Sequence, residues 1–379
     1  MKITEIEIMP VSIPTIMPYA LSFGTLTEAT SVLIKLHTDN GLYGIGDTSP
    51  CPTFSEESPE SVFSILKNYL FPAIKGMDLF NIGLIHQRMD QTVKGNSFAK
   101  AAIGIALYDI LGKYFNVPIY KLLGGCYREE FPLLWPLMGP DAETNSKEAK
   151  NAINRGFRSV MIKVGHNDPD IEVERVAAVR KAVGDKVIII PDANQGWTPQ
   201  IAIQCIRKME PYNVAWVEQP VPSWDIEGLA RVREAVNTPI SADESLYSIY
   251  DAMILAKRNA VDIISIKLQK SEGFYKAKKI AAITEAANIP IYINSMIETG
   301  GSVAASLQFA VSLPNVIPFS AALMSTLRLE DDILKEGSLH IENGVIKVSD
   351  RPGLGVELDE KKITRYEYKT KRVNKELQK

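Results

Sequence analysis

The sequence predicts a β/α barrel of eight parallel strands with a separate α+β capping unit, an expectation that rests on two observations. From about residue 131 the chain alternates short apolar, β-branched segments with amphipathic helical stretches, the texture of repeated βα units. The eight such segments fit in about 190 residues, the count for a closed barrel rather than a doubly wound sheet, and no G-x-G-x-x-G or Walker sequence supports the latter.

In chain order, the first part reads as strands followed by helices. "MKITEIEIMPVSIP" alternates as a strand does, and "SVLIKLHTDNGLYGIGD" reads as a hairpin turning at Asn40-Gly41. Helical patterns follow over residues 58–75 and 99–115. The eight barrel segments are "PLLWPL", "SVMIKVG", "KVIIIPD", "VAWVEQP", "TPISADE", "VDIISIKL", "IPIYINS" and "NVIPFS". Between the third and fourth, Thr198-Pro199 opens a helix as a capping threonine followed by an N1 proline. After about residue 335 the pattern returns to a hairpin, "HIENGVIKVSD", and then "RPGLGVELD". The expected organisation is a capping unit over residues 1–128, a barrel over 129–328, and a terminal segment, 329–379, packing back on the cap.

Composition narrows the function classes. A chain of 379 residues, 46% hydrophobic and 23% charged, has ample material for a large core, and its net charge of −3 leaves no footprint for nucleic acid. Three scattered cysteines fit a reducing, cytoplasmic setting better than a disulfide framework. No run of about 18 apolar residues suggests a membrane span. A small-molecule partner and a homo-oligomer are expected; the basic end, "KTKRVNKELQK", reads as a solvated terminus.

Barrel active sites form where strands end, so the residues there are informative. Strand two ends at Lys163, strand three at Asp192, strand four at Glu218, strand five at Asp243 and Glu244, strand six at Lys267, and strand seven leads to Glu298. One strand-end carboxylate is more often a helix cap or loop acceptor. Asp192, Glu218 and Asp243, however, are spaced 26 and 25 residues apart, one βα unit each. Three carboxylates around one barrel mouth repel one another unless a hard cation sits between them, and all-oxygen ligation favours Mg²⁺ or Mn²⁺ over zinc. Two lysines flanking that arc point to proton transfer.

Together with "LHTDNGLYGIGD", "AKAAIGIALYDILGKYFNVPIYKLLGG", "IKVG", "PDANQGW", "VEQP", "ADES", "IISIKL" and "PGLG", these residues make the chain resemble the enolase superfamily, within it the muconate-lactonizing-enzyme subgroup. The resemblance implies that Asp192, Glu218 and Asp243 bind Mg²⁺ and that Lys163 and Lys267 are acid/base groups on opposite faces of the substrate. It implies an isomerase, either a cycloisomerase or a racemase/epimerase, that removes the proton α to a carboxylate through an enediolate. Dehydration of a β-hydroxy acid is the alternative fate, and a non-catalytic carboxylate binder a third reading that intact metal and lysine positions disfavour. A lysine base would need its pKa brought from about 10.4 to roughly 7–8.

The pattern departs from the subgroup at two places. Met161 stands where a second lysine is usual, and "PFSAALMS" lacks the Asp-x-Asp pair with which dipeptide epimerases hold the substrate amine, so a dipeptide is disfavoured. Substrate contacts are expected from Trp135, Met161, Asn194 and Glu298, and from the cap-loop residues Tyr19, Phe23 and Phe54, with Glu244 in support.

Overall fold

The computed structural model describes residues 1–21 and 24–368. Three antiparallel strands open the chain: β1 (Ile3–Leu21), β2 (Gly24–Thr38) and β3 (Tyr43–Thr48), in the order β1-β2-β3. The β2–β3 turn is the expected Asn-Gly turn, with Gly41 at φ +85°. The buried side chains of β2, among them Val32, Ile34 and Leu36, pack with those of the helix Ser97–Phe115 into one core. That helix lies directly against β3. A Cβ at Gly44 would stand 2.1 Å from the Ala106 carbonyl oxygen, and one at Gly46 2.0 Å from that of Ala102, so the glycines of "YGIG" are what let sheet and helix meet.

The second body is a curled parallel sheet. Following the short strand β4 (Glu130–Pro132), it comprises β5 (Leu134–Leu137), β6 (Ser159–Lys163), β7 (Ile188–Asp192), β8 (Val217–Glu218), β9 (Ile240–Ala242), β10 (Ile263–Ile266) and β11 (Ile291–Ile293), hydrogen-bonded in that order. Helices alternate with the strands; the one at Pro199–Met209 is capped by Thr198, whose hydroxyl accepts from the Ile201 N–H. The expected eighth strand differs. Residues 315–322 close the barrel through isolated bridges, Val316 to Ile291 and Ala321 to Leu133, rather than as a continuous strand. Pro318, in the middle of the segment, has no N–H to give a ladder.

The terminal segment divides. Its hairpin, β12 (His340–Glu342) and β13 (Val345–Lys347), pairs with β4, Val345 opposite Pro132. The chain then returns to the cap: the Leu354 N–H donates to Asp109 Oδ1, Ser12 N–H to the Tyr366 carbonyl, and Tyr368 N–H to that of Pro10.

Candidate active site

Parallel registry sets the first row of the site. Lys163 pairs with Asp192, and Asp192 with Glu218, so the ends of β6, β7 and β8 present these side chains side by side. Asp243 and Glu244 follow directly on β9, and Lys267 on β10. All are buried, Glu218 and Asp243 completely.

Each charge has a specific neighbour. Lys163 Nζ lies 2.5 Å from Asp192 Oδ2. Burial pulls the Lys163 pKa down, but the Asp192 carboxylate outweighs it and holds the ammonium above its ordinary range. The expected depression of this lysine is therefore reversed while Asp192 is its partner. Lys267 Nζ lies 2.7 Å from Asp243 Oδ2, and Lys270 Nζ 2.5 Å from Asp243 Oδ1. Burial pushes the Asp243 carboxyl up, yet Lys267 and then Lys270 bring it down to about 2. Sharing one carboxylate, the two ammoniums differ: Lys267 is raised, because Asp243 and Glu244 outweigh burial, and Lys270 is lowered, because burial and Lys267 outweigh Asp243.

Glu218 is the exception. Burial, followed by Asp192 and Asp243, pushes its carboxyl well above the usual range. Its Oε1 accepts from Asn294 Nδ2 at 2.7 Å, whereas Oε2 is buried without a hydrogen-bond partner. An orphaned carboxylate oxygen flanked by two further carboxylates fits a hard divalent cation in chemistry. Among the described residues no three His, Cys, Asp or Glu side chains are already arranged to hold an ion, since lysines engage Asp192 and Asp243.

Above this row is a cavity of about 380 Å³ lined by residues of the barrel and the cap. Of the expected site residues, Lys163, Lys267, Asp192, Asn194, Met161, Tyr19 and Phe54 line it. The Phe54 ring centroid stands 4.1 Å from Lys267 Nζ, a cation–π contact across the cap–barrel boundary. Glu218, Asp243 and Glu244 are buried outside the cavity wall. Asn194 joins two of the carboxylates, its main-chain N–H donating to Asp192 Oδ1 and its side-chain amide to Glu244 Oε1. Burial, then Asp243, moves the Glu244 carboxyl up to about 7.

Two expected contacts are not in the wall, and a third is not described. Leu134 faces the cavity, so its neighbour Trp135 points away, packed 5.0 Å from Phe157 with the Arg155 guanidinium 4.2 Å from its ring. Glu298 faces the cap: it accepts from Gln269 Nε2 at 2.6 Å, while Gln269 Oε1 accepts from the Ser49 N–H. Phe23 lies outside the described residues. Conversely, sequence reasoning missed Asn294, Lys270 and Arg328. The first follows β11 directly, and the second sits three residues after Lys267 in "KLQK", which are usable signals. Arg328 reaches the cavity from the short helical turn Ser325–Arg328, a placement no local pattern announces.

Comparison with known proteins identifies the family and the fold. Residues 3–124 match the mandelate racemase / muconate lactonizing enzyme N-terminal domain, and residues 145–362 the enolase C-terminal domain-like family. An N-succinyl-L-Arg/Lys racemase from Bacillus cereus is 38% identical over 95% of this chain and 96% of its own length. A chloromuconate cycloisomerase from Cupriavidus necator is 36% identical over 97% and 99%. The crystal structure of the Bacillus cereus N-succinyl Arg/Lys racemase superimposes with a TM-score of 0.94, covering 97% of this chain and 99% of that one.

Proposed function

Because the chain belongs to the mandelate racemase / muconate lactonizing enzyme family of enolase-like isomerases, we propose that it racemises or epimerises an N-acylated amino acid, exchanging the proton α to the carboxylate. Asp192, Glu218 and Asp243 are the proposed holders of a divalent cation, Mg²⁺ or Mn²⁺, with Lys163 and Lys267 the acid/base pair. Bound there, the cation would supply positive charge where negative charge develops on the substrate carboxylate.

The observation that carries the reading is that both lysines open on one cavity from strands four positions apart in the sheet order. Inversion at carbon needs one group to withdraw a proton from one face and another to deliver one to the opposite face. While paired with Asp192, Lys163 is an ammonium ready to donate; it can accept only when Asp192 is drawn away from it. The acyl group is favoured because, among the described residues, the wall beyond β11 offers Ala322 and Met324 and no carboxylate for a free substrate ammonium, the acids Glu28 and Glu60 lining the cavity from the cap instead. It is also consistent with the N-succinylated substrate in the name of the Bacillus cereus relative.

Incubation in D₂O with Mg²⁺ tests the reading, using N-succinyl and N-acetyl amino acids, dipeptides and cis,cis-muconate. The expected result is deuterium at the α-carbon of N-acyl amino acids with loss of optical rotation. Lactone formation from muconate with no exchange in any amino acid derivative would overturn it in favour of cycloisomerisation.

A further inference from the structure

Glu172 and Arg175, on the helix Pro169–Val183 that follows β6, form a buried ion pair that the proton-transfer chemistry leaves unused. Neither residue lines the cavity. The guanidinium commits all three of its nitrogens to the strand ends around it. Nη1 donates to the Lys163 carbonyl at 2.9 Å and to Glu172 Oε2 at 2.8 Å, Nη2 to the Gly139 carbonyl at 3.0 Å, and Nε to Asn145 Oδ1 at 2.8 Å. The other Glu172 oxygen accepts the main-chain N–H of Asn167 at 2.9 Å and that of His166 at 3.4 Å. Together the two side chains hold the main chain of residues 163–167 at a carbonyl and at two N–H groups.

A buried ion pair is a weak source of stability, because desolvation offsets most of its attraction. What this pair supplies is geometry: a planar fork with fixed donor directions sets where its acceptors lie, and one of those acceptors belongs to Lys163. The rest of the β6 end is equally confined. The Val164 N–H donates to the Asp192 carbonyl at 2.9 Å, and at Gly165, whose φ is +95°, a Cβ would stand 2.4 Å from the Ala193 carbonyl oxygen. The end of β10 is built differently. The Lys267 carbonyl accepts the Ser271 N–H at 3.3 Å, and among the described residues no side chain donates to it. We infer that Arg175 is a positioning residue for Lys163, and for that lysine alone of the two, acting through the main chain together with Glu172. The kinetic consequence rests on the acid/base roles proposed above; the structural one does not.

The test compares the wild type with Arg175→Met and with Glu172→Gln/Arg175→Met. The double variant removes both buried charges, so it remains usable where a lone Glu172 carboxylate prevents folding. One readout is the crystal structure of each variant. Lys163 Nζ, 2.5 Å from Asp192 Oδ2 in the intact protein, should be displaced by about 1 Å, while Lys267 Nζ stays on Asp243. The other readout is α-proton exchange with retention of configuration in D₂O with Mg²⁺, measured on separate L and D N-acyl amino acids, with Lys163→Ala and Lys267→Ala assigning an enantiomer to each lysine. Exchange should fall about 10- to 100-fold for the enantiomer that Lys163 serves and by less than about 2-fold for the other, which also checks that the variant is folded. Racemisation itself must slow equally in both directions, because the two enantiomers are equal in free energy, so exchange with retention is the rate that discriminates. A merely structural role would lower both exchange rates alike. Lys163 unmoved, both lysines displaced, or equal falls for the two enantiomers overturns the inference. Displacement of Lys163 alone, in a protein whose wild type exchanges no α-proton, upholds it while rejecting the proposed reaction.

Discussion

Lys163 has one carboxylate to itself, whereas Lys267 and Lys270 share Asp243, and this difference separates residues that a strand-end reading treats alike. Asp243→Asn leaves two buried ammoniums without their shared counter-charge, so a loss of about 3–5 kcal/mol in folding stability is expected from urea unfolding of the metal-free protein. Glu218→Gln removes a carboxyl that burial and its neighbours already push toward neutrality. Its unfolding free energy should stay within about 1 kcal/mol of the wild type while α-proton exchange is lost. Equal destabilisation by the two variants would contradict the charge arrangement described. The side-by-side placement of Asp192, Glu218 and Asp243 at strand ends was legible because a 26- and 25-residue spacing reports the βα repeat directly. Side-chain direction was not: Trp135 and Glu298 lie near the site in sequence but turn away from the cavity, and Arg328 arrives by tertiary folding alone.

At the scale of elements, the contact between β3 and the helix Ser97–Phe115 depends on the absence of two side chains. Gly46→Ala would put a methyl 2.0 Å from the Ala102 carbonyl oxygen, so the strand or the helix must move. A loss of about 3 kcal/mol and a lowered thermal midpoint are expected; an unchanged midpoint would contradict the packing. His86, on the helix Ile82–Thr92, gives a pH signature. Its ring is 1% exposed, stacked on Tyr275 at 5.0 Å, with both nitrogens unpartnered. Burial, then Lys276, lowers its pKa to about 3. The folded state thus binds this proton less readily than the unfolded chain, whose histidine titrates near 6.5, so its contribution to stability is intact above that pH and is lost as pH falls toward 3. Relative to His86→Phe, the wild type should lose about 2 kcal/mol between pH 7 and 5; parallel stability curves would contradict the neutral, buried ring. Elements were legible where period and turn residues agreed, as in the Asn-Gly hairpin. The eighth barrel strand was not, because apolar "NVIPFS" has the composition of a strand but a proline where the ladder needs an N–H.

For the whole molecule, the candidate active site belongs to neither body alone. The barrel supplies the charged row and the cap supplies Tyr19, Phe54 and the residue 50–60 wall, joined across the boundary by Phe54 over Lys267 and by the Ser49–Gln269–Glu298 chain of hydrogen bonds. Loops carried on a rigid scaffold set specificity, so exchanging residues 50–56 for those of a cycloisomerase should change the ranking of substrates in a competition assay rather than lower all rates equally. The central claim is the division of proton transfer between Lys163 and Lys267, which were legible in the sequence as polar breaks at the ends of apolar strands. It is tested most directly by following deuterium uptake at the α-carbon of separate L and D enantiomers of an N-acyl amino acid in D₂O with Mg²⁺. Lys163→Ala and Lys267→Ala should each abolish racemisation, and each surviving lysine should exchange the α-proton of one enantiomer only, opposite in the two variants. Racemisation persisting in either single variant, or exchange of both enantiomers in the double variant, would contradict the mechanism.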